Sequence, residues 1–198
     1  MAMLDGVRVI ELTTMITGPL AGMLLADLGA SVIKIENRDG GDPFRSFGGG
    51  RYSGHFISYN RNKRSLTLDL RSPQGKEIFL SLVRQADVLI DNFRHGVLDR
   101  LGLSDAVLRN ANPRLIHASI TGFGASGPYR DRPSYDAVAQ SLSGVLSQFI
   151  DPESPELAGP TLSDNVTGFY AAYGILGALY ERERAGQGRR IETSLLFS

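Results

Sequence analysis

The 198-residue chain contains no cysteine. That absence excludes disulfides, thiolate metal sites and a cysteine nucleophile. Histidine is scarce: the three present, His55, His95 and His117, show no metal-ligand spacing. An excess of charge is missing too, because 21 basic and 21 acidic side chains give a formal net charge of zero. A nucleic-acid surface working by bulk charge is therefore not expected, whereas a local basic pocket for a phosphorylated ligand stays compatible. No run of 18 apolar residues occurs, which argues against a membrane span. A strand pattern starts almost at Met1, so no signal peptide is expected and the cytoplasm is the expected location. Finally, no Gly-x-Gly-x-x-Gly follows that first strand, and a nicotinamide dinucleotide is poorly supported.

What is present is an ordinary globular composition, 42% hydrophobic and 21% charged, long enough for one sizeable domain or two small ones. Residues 7–12 form a short β-branched run behind Asp5-Gly6. A loop over residues 13–19 ends in Gly18-Pro19, a helix spans 20–28 with Gly29 closing it, and a second strand spans 31–36. Strand, helix and strand within about 30 residues make a βαβ unit with a right-handed connection. The loop after the first strand then lies at the carboxyl end of the sheet, where open α/β sheets bind ligands.

Residues 37–51 read as a loop, and Gly48-Gly49-Gly50 within it as a flexible surface stretch rather than a phosphate cradle. A strand is expected over 65–70, from the alternation of Leu66, Leu68 and Leu70. Ser72-Pro73 opens a helix with Ile78, Phe79, Leu82 and Val83 on one face. Strands follow over 86–90 and 115–120, the latter carrying His117 as a packed or strand-edge residue, with short helices over 97–101 and 105–110 between them. One helix is expected over 135–149, with Ala139, Leu142, Val145, Leu146 and Phe149 spaced for burial, then a proline-rich linker over 151–160. A long apolar helix ends at Gly186, and a last strand begins at Arg189. The alternation predicts an α/β fold: a mostly parallel open sheet flanked by helices.

Asp164 sits just before the apolar run of that long helix. Ser163 or Asp164 suits an N-cap, and the positive end of the helix dipole favours the ionised carboxylate. On the residues alone, capping is the better reading of Asp164.

Several ordered segments change that weighting. They include Leu4-Asp5-Gly6-Val7, Gly18-Pro19 with Leu25-Ala26-Asp27-Leu28-Gly29, Val32-Ile33-Lys34-Ile35-Glu36 and Asn62-Lys63-Arg64-Ser65. Asp91-Asn92-Phe93 with Gly96-Val97-Leu98-Asp99-Arg100-Leu101-Gly102, then Tyr135-Asp136, Asp164-Asn165-Val166-Thr167-Gly168 and Gly186-Gln187-Gly188, continue the series. In order and spacing the chain resembles the class III CoA-transferases, which include formyl-CoA and carnitine-CoA transferases, with α-methylacyl-CoA racemase as a relative. The resemblance implies a Rossmann-like large domain and makes Asp164 the nucleophile of a CoA transfer that passes through mixed anhydrides and an aspartyl-CoA thioester. It implies no prosthetic group, coenzyme A and acyl-CoA as substrates, a carboxylic acid as acceptor, and no nucleic-acid or membrane partner.

By position, the resemblance places Ile16, Leu68, Arg71, Asn92, Arg100 and Tyr135 at the CoA. Arg38 joins them as a neighbour of a family arginine position, which aligns with Asn37. Ile16 stands where the family has a backbone contact or a glutamine, so its side chain donates no hydrogen bond. The racemase relative carries histidine at the position of Tyr135, and a tyrosine is a poor proton shuttle at neutral pH, so transfer is favoured over racemisation. The family is about twice this length. Residues 1–198 are thus expected to be the N-terminal part of the CoA-binding large domain, without the small domain and closing segment, and to act as a homodimer when complete. An acyl-CoA racemase relative and an inactive CoA-binding fragment stay open as alternatives.

Overall fold

Short β-branched runs pair into six parallel strands in the computed structural model, which describes residues 1–198 apart from 51, 152, 155, 157 and 158. The strands are β1 (Arg8–Leu12), β2 (Ser31–Glu36), β3 (Lys63–Thr67), β4 (Val88–Asp91), β5 (Ile116–Thr121) and β6 (Arg190–Ser194). Their order in the sheet is β3-β2-β1-β4-β5-β6. The helices are α1 (Thr17–Asp27), α2 (Gly54–Asn60), α3 (Pro73–Val83), α4 (Val97–Arg100), α5 (Asp105–Ala111), α6 (Asp136–Leu142) and α7 (Leu162–Ala185). This is the expected α/β architecture. The strand order reverses between β1 and β4, so the chain leaves these two neighbours toward opposite sides and opens a crevice at their carboxyl ends.

Both faces of the sheet are covered, which is why β4 reads as a continuous apolar run rather than an alternation. On one face α1 and α7 pack Leu25, Ala171 and Ile175 against Val9, Val88, Ile90 and Ile116. On the other, Phe79, Val83 and Leu108 from α3 and α5 meet Ile10, Leu12 and Leu89. Fully burying a side chain such as Leu25 or Ile175 contributes about 1.5–3 kcal/mol. His117 is buried on β5, flanked by β4 and β6, with Nε2 2.7 Å from Asp91 Oδ2. No helix among the described residues is long and apolar enough to cross a membrane.

Five local expectations need correction. Helix α1 starts at Thr17, not at Leu20, and takes Gly18-Pro19 into its first turn; first-turn amides have no intrahelical partner, so proline costs nothing there. Strand β3 is Lys63–Thr67 instead of 65–70. Its partner β2 ends at Glu36, opposite Thr67, so Leu68 and Leu70 have no strand to pair with. The loop over 37–51 contains a 3-10 turn at Pro43–Ser46, and α2 follows it, capped by Ser53. Arg51, the expected end of that loop, lies outside the described residues, as do 152, 155, 157 and 158 of the expected linker.

The single helix expected over 135–149 is broken. Gly144 adopts φ 80° after α6, and a 3-10 turn, Val145–Gln148, follows. Ala139 and Leu146 are buried, but Leu142, Val145 and Phe149 are exposed. Likewise Phe79 and Val83 of α3 are buried while Ile78 is exposed.

Helices α1 and α7 touch at Gly168. A Cβ there would lie 2.8 Å from the Thr17 carbonyl oxygen and about 3 Å from Leu20, so only glycine lets the helices approach this closely. Gly168→Val is expected to destabilise the protein by about 1–3 kcal/mol, because the backbone of α1 has to move. Urea denaturation of the two proteins checks this.

Candidate active site

The loops leaving β1 and β4 are tied across the crevice. Thr14 N–H donates to Asn92 Oδ1 at 3.0 Å, and Asn92 Nδ2 donates to the Thr14 carbonyl at 2.8 Å. Met15 has φ 71°, an uncommon conformation for this residue type, and its N–H donates to Asp42 Oδ1 at 3.2 Å. Beneath the loop lies a buried charge cluster. Lys34 Nζ is 2.9 Å from both Glu11 Oε1 and Asp42 Oδ2, and donates to the Thr13 carbonyl at 2.8 Å. Lys63 Nζ is 2.8 Å from Glu11 Oε2 and donates to the Pro19 carbonyl at 2.7 Å. Burial alone would push the Glu11 carboxyl up, but Lys34 and Lys63 outweigh it and hold it below its usual range. Burial drives Lys63 down to about 8, with the Glu11 carboxylate opposing and the Lys34 ammonium adding to the fall.

Past this loop, α1 begins with Thr17, whose hydroxyl donates to Asp164 Oδ1 at 2.6 Å. The expected capping role is not found. The N-cap of α7 is Thr161, without a side-chain cap bond, and Asp164 is the third helical residue. Its own amide donates to Asp136 Oδ1 at 3.0 Å, so Asp136, at the start of α6, caps α7 from outside. Gln140 Nε2 steadies Asp136 through Oδ2 at 2.5 Å. Nor is the carboxyl lowered, as a helix start would lower it. Asp164 is pushed up to about 6, first by burial and then by the Asp136 charge, with the Thr17 hydrogen bond pulling the other way. Desolvation and a like charge together thus exceed the pull of the Thr17 hydroxyl.

Asp164 opens into a cavity of about 510 Å³ that also takes Thr14, Thr17, Asn92, Arg94, His95, Arg100, Arg130, Arg132 and Tyr135 in its lining. Among the described residues Asp164 is the one carboxylate in this lining, facing four arginines. None of the four is close enough to pull its pKa down. A second cavity, of about 260 Å³, is lined by Leu68, Arg71, Asn37 and Asp42. Thr14, Phe93 and Val97 line both, so the two lie side by side at the carboxyl end of the sheet.

The eight site residues expected from the sequence divide accordingly. Asp164, Asn92, Arg100 and Tyr135 line the large cavity, with Tyr135 67% exposed, and Leu68 and Arg71 line the small one. The Asn92 side chain is engaged with Thr14, as described. Ile16 is buried away from both cavities, against Phe44 and Phe56. Arg38 is exposed 3.9 Å from Asp39 and lines neither. Sequence reasoning missed Thr17, Arg94, Arg130 and Arg132. The ligand-binding end assigned to the loop after the first strand was the available signal for Thr17; the arginines are brought in by two separate loops, Arg94 after β4 and Arg130 and Arg132 after β5, and no local pattern marks them.

Because the folded protein holds the Asp164 proton more tightly than the unfolded chain, ionising this group costs stability. The cost is complete above about pH 6 and vanishes below about pH 4, where both states are protonated. Asp164→Asn is therefore expected to stabilise the protein by about 1–2 kcal/mol at pH 7.5, after allowing for solvent screening, and by nothing at pH 4. Denaturant midpoints at the two pH values measure the difference.

Residues 4–198 match the family model described as CoA-transferase family III. The succinate–glutarate CoA-transferase of Agrobacterium fabrum is 43% identical over 98% of this chain and 51% of its own length. The acetyl-CoA:oxalate CoA-transferase of Acetobacter aceti is 44% identical over 96% of this chain and 50% of its own. A CAIB/BAIF family protein from Brucella suis superposes with a TM-score of 0.92 at 41% identity, covering 98% of this chain and 53% of that one. The chain spans about half the length of the curated relatives it matches. With a family match over nearly every residue and a shared backbone, the chain belongs to CoA-transferase family III.

Proposed function

We propose that the protein moves CoA from an acyl-CoA to a carboxylic acid, with Asp164 as the transient acyl carrier. The observation that carries this reading is the Asp164 carboxylate, partly buried and faced by four arginines with none of which it is paired, in a cavity that adjoins a second one at Thr14, Phe93 and Val97. The arginines suit anionic substrates, because a guanidinium meets a carboxylate or phosphate with paired donors. Leu68 and Arg71 in the smaller cavity are the proposed seat of the adenosine end of CoA, with the pantetheine arm running past Thr14 and Phe93 toward Asp164.

The chemistry balances without an external acid or base. One Asp164 oxygen adds to the thioester carbonyl, the carbon–sulfur bond breaks, and CoA leaves as the thiolate with the bonding pair. The thiolate attacks Cγ of Asp164, and the donor acid leaves as its carboxylate, giving an aspartyl-CoA thioester. The acceptor carboxylate attacks the same carbon and expels the thiolate. The thiolate then attacks the acceptor carbonyl of the new anhydride, releasing acyl-CoA and the Asp164 carboxylate. Each step exchanges one activated acyl group for another, so positioning contributes more than a strong base would.

Two measurements test the reading. Incubation with succinyl-CoA and hydroxylamine should convert Asp164 to its hydroxamate, seen in the mass of the peptide that contains it. Asp164→Ala should abolish acyl-CoA–acid exchange while leaving CoA affinity nearly unchanged, and full exchange by that variant would refute the role. The attacking group must be ionised, so kcat/KM of the parent should rise with pH through about 6 and level off above it.

A further inference from the structure

We propose that the Thr17 hydroxyl is the oxyanion donor for the exchange at Asp164, a role that rests on Asp164 being the acyl carrier. Thr17 lies 147 residues from Asp164 in the chain, and its hydroxyl spends its one proton on Oδ1 at 2.6 Å. Among the described residues no hydrogen bond reaches Oδ2, and the cavity lies beside the same carboxylate. The two oxygens are therefore unlike: one is held, the other is available to attack.

The consequence follows through the covalent steps. When the available oxygen is acylated, Oδ1 becomes the carbonyl oxygen of the aspartyl anhydride. When the thiolate adds to Cγ, the carbon–oxygen π pair moves onto Oδ1, and the full negative charge gathers there. As the donor carboxylate departs with its bonding pair, that charge returns to the carbonyl. The same cycle repeats when the acceptor carboxylate adds to the thioester. Thr17 already points its proton at the atom where the charge appears, so no reorganisation is needed at that moment. The hydroxyl stays directed because Thr17 is buried and because Gly168 lets α1 lie against α7.

Thr17→Val keeps the shape and removes the proton; Thr17→Ser keeps the proton. Loss of one such donor is expected to slow exchange about 100-fold, with the KM for acyl-CoA little changed, and Thr17→Ser should recover most of the rate. In the protein without substrate, the Asp164 carboxyl should titrate above its parent value of about 6 in Thr17→Val, read by carbon NMR of the labelled side chain. A purely structural role for Thr17 would not be rescued by serine while moving the Asp164 titration. If Thr17→Val exchanges within about twofold of the parent rate while Asp164→Asn is dead, the donor role is wrong and the acyl-carrier reading stands. An unmoved Asp164 titration in folded Thr17→Val also overturns the donor role. If Asp164→Asn itself retains exchange, the acyl-carrier reading fails and takes this proposal with it.

Discussion

The paired hydrogen bonds between Asn92 and the backbone of Thr14 set the distance between two loops that would otherwise diverge. Strands β1 and β4 are neighbours whose continuations leave in opposite directions, and nothing in the sheet itself fixes how far apart they end up. An asparagine suits the task because its amide both donates and accepts, matching one peptide unit. From that tie the dependence runs outward. The loop residue Met15 is held at φ 71° by Asp42, at a cost of about 1–3 kcal/mol that the surrounding bonds must cover. The loop in turn decides where α1 begins, and the start of α1 puts the Thr17 hydroxyl on Asp164.

The buried charges make sense in the same frame. Glu11, Lys34, Asp42 and Lys63 carry two charges of each sign, and their mutual pairing offsets a desolvation cost that none could bear alone. An apolar cluster of the same size could be as stable. It could not do what the two lysines do, which is to grip the backbone carbonyls of Thr13 and Pro19 on either side of the strained loop. Gly22 belongs to this arrangement as well. A Cβ there would lie 2.0 Å from Glu11 Oε2, so α1 sits close over the cluster only because that side chain is missing.

Much of the fold was legible and much of the site was not, for a common reason. β1, β2, β4 and β5 are buried on both faces and announce themselves as apolar β-branched runs. The boundaries that failed were set by a neighbouring strand in one case and by a local backbone turn in the other. β3 stops where β2 stops, and α6 stops at Gly144, where a left-handed turn overrides an apolar spacing that would have continued. Asp164 illustrates the limit most clearly. A carboxylate before an apolar run looks like a cap, and the residues alone favoured that role. The cap is Asp136, from the first turn of another helix. Thr17 left still less trace, since a threonine ahead of Gly-Pro carries no meaning until α7 is folded against it.

The raised pKa of Asp164 fits the demands of the proposed chemistry better than an ordinary carboxyl would. A carboxylate strongly stabilised by cations would be ionised at every working pH and correspondingly reluctant to share its electrons. One raised to about 6 is still ionised in roughly nine molecules of ten at pH 7, and its basicity brings greater nucleophilic strength. The environment achieves this by burial and by a neighbouring carboxylate rather than by an apolar pocket, and the four arginines stand back far enough to leave the balance undisturbed. Distance is the point of that arrangement. Under the proposed transfer, arginines within pairing reach would neutralise the carboxylate that has to attack, whereas arginines across the cavity would be left to hold the anionic substrates.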